Sequence, residues 1–201
     1  SKLYFDRPLS NIVFMGMGEP MMNYKNVVES IKKITEPSGL GMSPRRITVS
    51  TSGIPKMIKM LADEEIRVNL ALSLHSAIEK KRNDIMPFSD KFPLTDIMDS
   101  LKYWYEKTGN IITFEYCVWK GINDEDEDIK ALIRYCKQIP SKVNLIQYNP
   151  IGDGKYDQCN KAAEENYVRQ LEKAGITVLI RRSRGGDIDA ACGQLANKSS
   201  E

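Results

Sequence analysis

Apolar residues fall along this chain in two alternating rhythms. Short runs at 11–15, 46–49, 68–72, 111–119, 143–148 and 177–181 are rich in Val, Ile, Leu, Phe and Tyr, and each predicts a strand. Between them the spacing changes to a helical one. Tyr24–Thr35 places Val27, Val28, Ile31 and Ile34 on one face, and Pro37-Ser38-Gly39 then breaks the pattern. Ile54–Leu61 does the same with Met57, Ile58 and Leu61. Further helices are expected over Leu94–Lys107, from an acidic start at Asp124–Asp128 to about Gln138, and from about Ala162 to Ala174. Ile78–Pro93, rich in charge and proline, reads as a long connection.

Strands alternating with helical crossovers imply a mainly parallel sheet, open or rolled into a barrel. Six strands are visible, whereas a complete eightfold barrel usually needs about 250 residues. The chain also enters its first strand after only a short polar lead. The expected fold is therefore α/β: a partial (βα) barrel, missing its first strand, that occupies residues 1–201 as one unit.

Four of these strands run into polar or glycine-rich motifs. The strand at 11–15 meets Gly-Met-Gly-Glu-Pro (16–20), and that at 46–49 meets Ser-Thr-Ser-Gly (50–53). Ser-Leu-His (73–75) follows the strand at 68–72, and Asn149-Pro150 follows that at 143–148. In parallel α/β folds functional groups gather at the carboxyl ends of strands, so these motifs are expected to line one mouth.

Glycine at 16 and 18 allows close approach of a ligand to the backbone, and Glu19 offers a carboxylate to an ammonium group; the plain alternative is a tight turn with a solvated glutamate. Ser52 reads as a helix cap and Ser50 as a ligand contact. His75 is the only histidine of the chain, a hydrogen-bonding residue by default, raised in interest by its place at a strand end. Glu115 and Cys117 share one face of their strand and read as lining or packing.

Composition narrows the class without naming it. Apolar residues make up 41% and charged residues 28%, as in ordinary globular proteins, and the net charge is +2. Four cysteines, at 117, 136, 159 and 192, show neither metal-site spacing nor the density of a disulfide scaffold. No secretory signal or membrane span is visible, so a reducing cytoplasm is the expected compartment and no membrane partner is expected. Near the C-terminus, Arg182–Leu195 places Cys192 among small residues, sterically open, with arginines and aspartates nearby pulling its acidity in opposite directions.

Taken together, Met15–Pro20, Ser50–Gly53, Ser73–His75, Asn149-Pro150 and Asp187–Leu195 resemble, in order, the motifs of the radical S-adenosylmethionine methyltransferases of the RlmN type. That resemblance implies methylation of adenine carbon 2 in 23S rRNA and tRNA, with S-adenosylmethionine and a 4Fe–4S cluster as cofactors. It implies that Gly18 and Glu19 hold the cofactor's amino group, and that Ser50, Ser73, Leu74, His75 and Asn149 contact the rest of it. It makes Cys192, within the segment 182–196, the residue that accepts a methyl group and passes it on. Carbon 2 lies between two ring nitrogens and is too electron-poor to attack a sulfonium methyl, whereas a thiolate is not.

The family's Cys-x-x-x-Cys-x-x-Cys motif is absent from these residues. The resemblance therefore places the cluster ligands and the resolving cysteine upstream of Ser1, and this chain alone is expected to make no radical. The barrel's open edge predicts self-association. Two rivals stand beside this reading: the closely similar Cfr type, acting at carbon 8 of adenine, and a non-catalytic RNA-binding module using Arg181, Arg182 and Arg184 on phosphates.

Overall fold

The computed structural model describes residues 8–149 and 156–181. Six strands form one parallel sheet in sequential order: β1 (Ile12–Phe14), β2 (Ile47–Thr51), β3 (Asn69–Ser73), β4 (Ile112–Cys117), β5 (Ser141–Ile146) and β6 (Thr177–Arg181). Helices α1 (Tyr24–Thr35), α2 (Pro55–Asp63), α3 (Glu79–Ile85), α4 (Leu94–Thr108), α5 (Asp126–Cys136) and α6 (Lys161–Lys173) occupy the crossovers. All six expected strands are present, with bounds moved by a residue or a few.

The period of two divides the sheet into unlike faces. Ile47 and Val49, Leu70 and Leu72, Ile112, Phe114 and Tyr116, and Val143 and Leu145 are buried with Ile31, Ile58, Leu61, Leu101, Trp104 and Leu132 from the helices, in one hydrophobic core. Removing each such side chain from water contributes about 1.5–3 kcal/mol before conformational entropy is set against it. The alternate residues run in rows across the other face. Ser73, Glu115 and Asn144 are register partners on β3, β4 and β5, and Cys117, Ile146 and Arg181 form the next row.

That second face is the inside of a curved sheet. Arg181, at the end of β6, donates from Nη1 to the sulfur of Met15, just beyond β1, at 3.4 Å. The two outermost strands thus approach each other within a side chain's reach at their carboxyl ends. The partial barrel expected from the alternation is the fold observed.

The connection 78–93 is more ordered than its composition suggests. It contains α3 and a 3₁₀ turn, Pro87–Lys91, and buries both Arg82 and Ser89. Polar contacts to neighbouring elements hold it. The Glu79 carboxylate accepts from the amide of Leu94 at the start of α4, and Lys81 pairs at 2.8 Å with the buried Asp128 of α5. Asp128 also completes a capping box with Glu125, so the acidic start read from sequence does open α5. The strand expected over 111–119 is shorter, because the chain leaves the ladder at Cys117 and turns at Trp119.

Candidate active site

At the carboxyl ends of the strands lies a cavity of about 580 Å³, within the ~300–1,000 Å³ usual for ligand sites. Gly18, Glu19, Ser50, Ser73, His75 and Asn149 all line it. The loops that sequence reading singled out therefore meet at one mouth.

Glu19 caps the 3₁₀ turn Pro20–Asn23, its Oε1 accepting from the amide of Met21 at 3.0 Å. Its Oε2 accepts from both the amide and the hydroxyl of Ser52, each at 2.7 Å. Ser52 is thus a holder of Glu19 and not a helix cap: α2 is preceded by Ile54 with no side-chain cap, and its first turn begins with Pro55, which has no amide proton to satisfy. Oε1, with one intrachain bond, keeps a lone pair for a ligand donor. Behind Ser52, the fully buried Arg82 donates from Nη2 to its carbonyl. Gly18, at φ 82, and Gly53, at φ 99, take left-handed conformations that turn these loops inward.

Ser50 and Ser73, on adjacent strands, face each other across 3.5 Å. His75 follows with φ 57, unusual for a residue with a side chain. Asn123 holds it there, donating from Nδ2 to the carbonyl of His75 at 2.6 Å and to that of Cys117 at 2.9 Å. The Oδ1 of Asn123 accepts from the amide of Trp119 at 2.7 Å, and its own carbonyl accepts from the hydroxyl of Tyr167. Asn123 therefore ties the loop after β4 to the end of β3.

The imidazole itself accepts at Nδ1 from the amide of Cys117 at 3.1 Å, which in the neutral ring places the proton on Nε2. Burial, then the positive charge of Arg82, pushes the histidine down to about 4, so the neutral ring is the form present at neutral pH. Its role is that of a fixed hydrogen-bonding group with one remaining N–H.

Along β4 and its continuation, Glu115, Cys117 and Trp119 all line the cavity, as the period of two requires. Trp119 packs on Tyr156 with ring centroids 5.5 Å apart and on Tyr148 at 6.0 Å, and meets the His75 ring edge-on at 5.4 Å. Together they make an aromatic wall. Glu115, 3% exposed, accepts from Nδ2 of Asn144 at 2.8 Å, and Nη1 of Arg181 stands 3.9 Å from its other oxygen. Burial raises this carboxyl above its ordinary range, while the Asn144 bond and the Arg181 charge oppose the shift.

Two sequence expectations separate from the rest. Leu74 is fully buried in the core and does not line the cavity. Cys192, with the whole segment 182–196, lies outside the described residues. Sequence reading missed Asn123, Arg82 and the aromatic wall. A Gly-Ile-Asn turn (121–123) offered a faint signal for Asn123. Arg82, inside a charged run, offered none.

The donor set suits S-adenosylmethionine: a carboxylate with a free lone pair, paired hydroxyls, a neutral imidazole and an aromatic wall. Among the described residues no group of three His, Cys, Asp or Glu is placed to hold a metal ion, so the residues in view do not fit an iron–sulfur cluster. Nor, among them, is any helix long and apolar enough to cross a membrane.

No protein-family model matches the chain. It is 64% identical, over 199 residues and 99% of its length, to a "probable dual-specificity RNA methyltransferase RlmN" of Christiangramia forsetii, and covers 56% of that protein. Among solved structures, a radical SAM methyltransferase from Sphaerobacter thermophilus superposes with a TM-score of 0.91 at 36% identity, over 94% of this chain and 55% of that one. A domain of a pyruvate-formate lyase-activating enzyme from Bacteroides vulgatus shares the fold alone, with a TM-score of 0.66 at 15% identity. The chain thus spans about half the length of the curated relatives it matches. Sequence and fold converge on one likeness, the radical SAM RNA methyltransferases of the RlmN type.

Proposed function

We propose that this chain forms the S-adenosylmethionine-binding barrel of an RlmN-type RNA methyltransferase, acting on carbon 2 of adenine in 23S rRNA and tRNA. The observation that carries this reading is the meeting of Glu19, Ser50, Ser73, His75 and Asn149 around one cavity, from the ends of four separate strands. The likeness to methyltransferases supplies the reaction class, and the cavity supplies a place for the methyl donor.

When bound, S-adenosylmethionine supplies a sulfonium-activated methyl group; the cofactor carries that chemistry, and the protein positions it. Glu19, held in place by Ser52, accepts from the ammonium group through the free lone pair on Oε1. The hydroxyls of Ser50 and Ser73 and the amide of Asn149 offer hydrogen bonds to the carboxylate and ribose. The imidazole of His75, kept neutral, donates from Nε2 without adding a second positive charge near the sulfonium. Trp119, Tyr148 and Tyr156 give the adenine a stacking surface and exclude water from it. Cys192, by its motif, is the methyl acceptor on the protein.

Nucleoside mass spectrometry of 23S rRNA and tRNA tests the activity, comparing cells with and without the gene that encodes this chain. Loss of 2-methyladenosine on disruption is expected. Loss of an 8-methyl derivative instead would assign the Cfr-type specificity, and no change in either would reject the methyltransferase reading.

A further inference from the structure

The aromatic wall and Glu115 line the same cavity from different levels of the barrel. Glu115 stands within β4, in the row of Ser73 and Asn144, whereas Trp119 lies beyond the strand end, bridged to Gln158. If the wall takes the cofactor's adenine, the carboxylate deeper in the barrel faces something else.

Glu115 is an unusual group to leave there. Its Oε1 is fixed by Asn144, but its Oε2 is buried and, among the described residues, finds no hydrogen-bond partner, and neither does Oδ1 of Asn144 beside it. A buried acceptor without a donor costs about 1–3 kcal/mol, so a site that retains two of them is incomplete without a donor from outside. Arg181 does not supply it: at 3.9 Å its Nη1 adds positive charge to Oε2 without a hydrogen bond. Lys142 adds a further positive field. Two cations beside the carboxylate disfavour a third, which argues against a metal ion or an ammonium group. A neutral N–H donor meets no such objection.

We infer that Glu115, oriented by Asn144, is a seat for the exocyclic amino group of an aminopurine, and that it reads the target adenine as distinct from the cofactor's. A 6-amino group presents the donor that Oε2 lacks. A 6-oxo purine would set a carbonyl against the carboxylate and leave both unpaired, and buried polar sites reject such analogues strongly. Asn144 acts as a positioning residue, through its bond to Oε1. The inference rests on the methyltransferase reading for the identity of the base, and on the geometry alone for its amino group.

The test is calorimetric binding of adenosine and inosine 5′-monophosphates to the chain, with and without saturating S-adenosylhomocysteine. Adenosine monophosphate is expected to bind at least about tenfold more tightly than inosine monophosphate with S-adenosylhomocysteine present. In Glu115→Gln, which keeps the shape and removes the charge, the ratio should fall to within about twofold. Asn144→Ala should narrow the ratio while leaving S-adenosylhomocysteine affinity unchanged.

An unchanged ratio in a folded Glu115→Gln protein overturns the inference. So does equal binding of the two nucleotides by the wild type, or competition between adenosine monophosphate and S-adenosylhomocysteine, which would return the amino group to the cofactor. Failure of S-adenosylhomocysteine itself to bind, with the Glu115-dependent ratio intact, would sink the cofactor reading and leave the seat standing.

Discussion

Ser52 grips Glu19 twice, its amide and its hydroxyl both donating to Oε2 at 2.7 Å. One bond belongs to the backbone and survives substitution; the other does not. Because Glu19 lies on the loop after β1 and Ser52 on the loop after β2, this pair fixes two sides of the cavity relative to each other.

Ser52→Ala is expected to lower S-adenosylmethionine affinity by about three- to tenfold, since one charge-assisted bond to the carboxylate is lost and the amide bond remains. Thermal stability should change little. Titration calorimetry alongside a melting curve separates the two effects, and a large fall in melting temperature with unchanged affinity would contradict the assignment.

At Gly53 the constraint is steric as well as conformational. Its φ is 99, and a Cβ there would lie 2.9 Å from the Cδ1 atoms of both Ile97 and Leu72. Gly53→Ala should destabilise the chain by about 2 kcal/mol or more, combining backbone strain with overpacking. Urea denaturation gives the value directly.

For Asn123, truncation leaves the Trp119 amide and the carbonyls of His75 and Cys117 without their side-chain partner. Asn123→Ala is expected to cost about 3 kcal/mol. Asn123→Asp should be worse, because an acceptor then faces the two carbonyls. Denaturant unfolding of both variants checks the order, and a milder Asp variant would refute it.

The pH dependence of stability carries the signature of His75. Its ordinary value is 6.5 and the folded chain holds it at about 4, so on acidification the unfolded chain takes up the proton first. The stabilisation is complete above about pH 6.5, declines as pH falls from there toward about 4, and levels off below, amounting to at most about 3 kcal/mol. Unfolding free energies measured at pH 7.5 and pH 5 should differ more for the wild type than for His75→Gln.

The strand and helix rhythm needed only local chemistry, and so was legible: β-branched runs, amphipathic periods and the acidic opening of α5 each act within a turn or two. The meeting of the strand-end motifs also followed, because parallel strands joined by helical crossovers put all their carboxyl ends on one side. The connection 78–93 was not legible. Its helix exists because Lys81 finds Asp128, 47 residues away, and Glu79 finds the start of α4.

Sequence alone determined the alternating α/β order, the six strands, and the chemistry available at their ends. Tertiary structure decided what those groups do to one another. Ser52 became the partner of Glu19 across 33 positions, and Asn123 the anchor of His75 across 48. Glu115 was left with an oxygen unpaired among the described residues, and an aromatic wall was assembled from two loops. Such pairings depend on the curl of the sheet, which brings distant positions to hydrogen-bonding distance, and no periodicity along the chain encodes a distance across it.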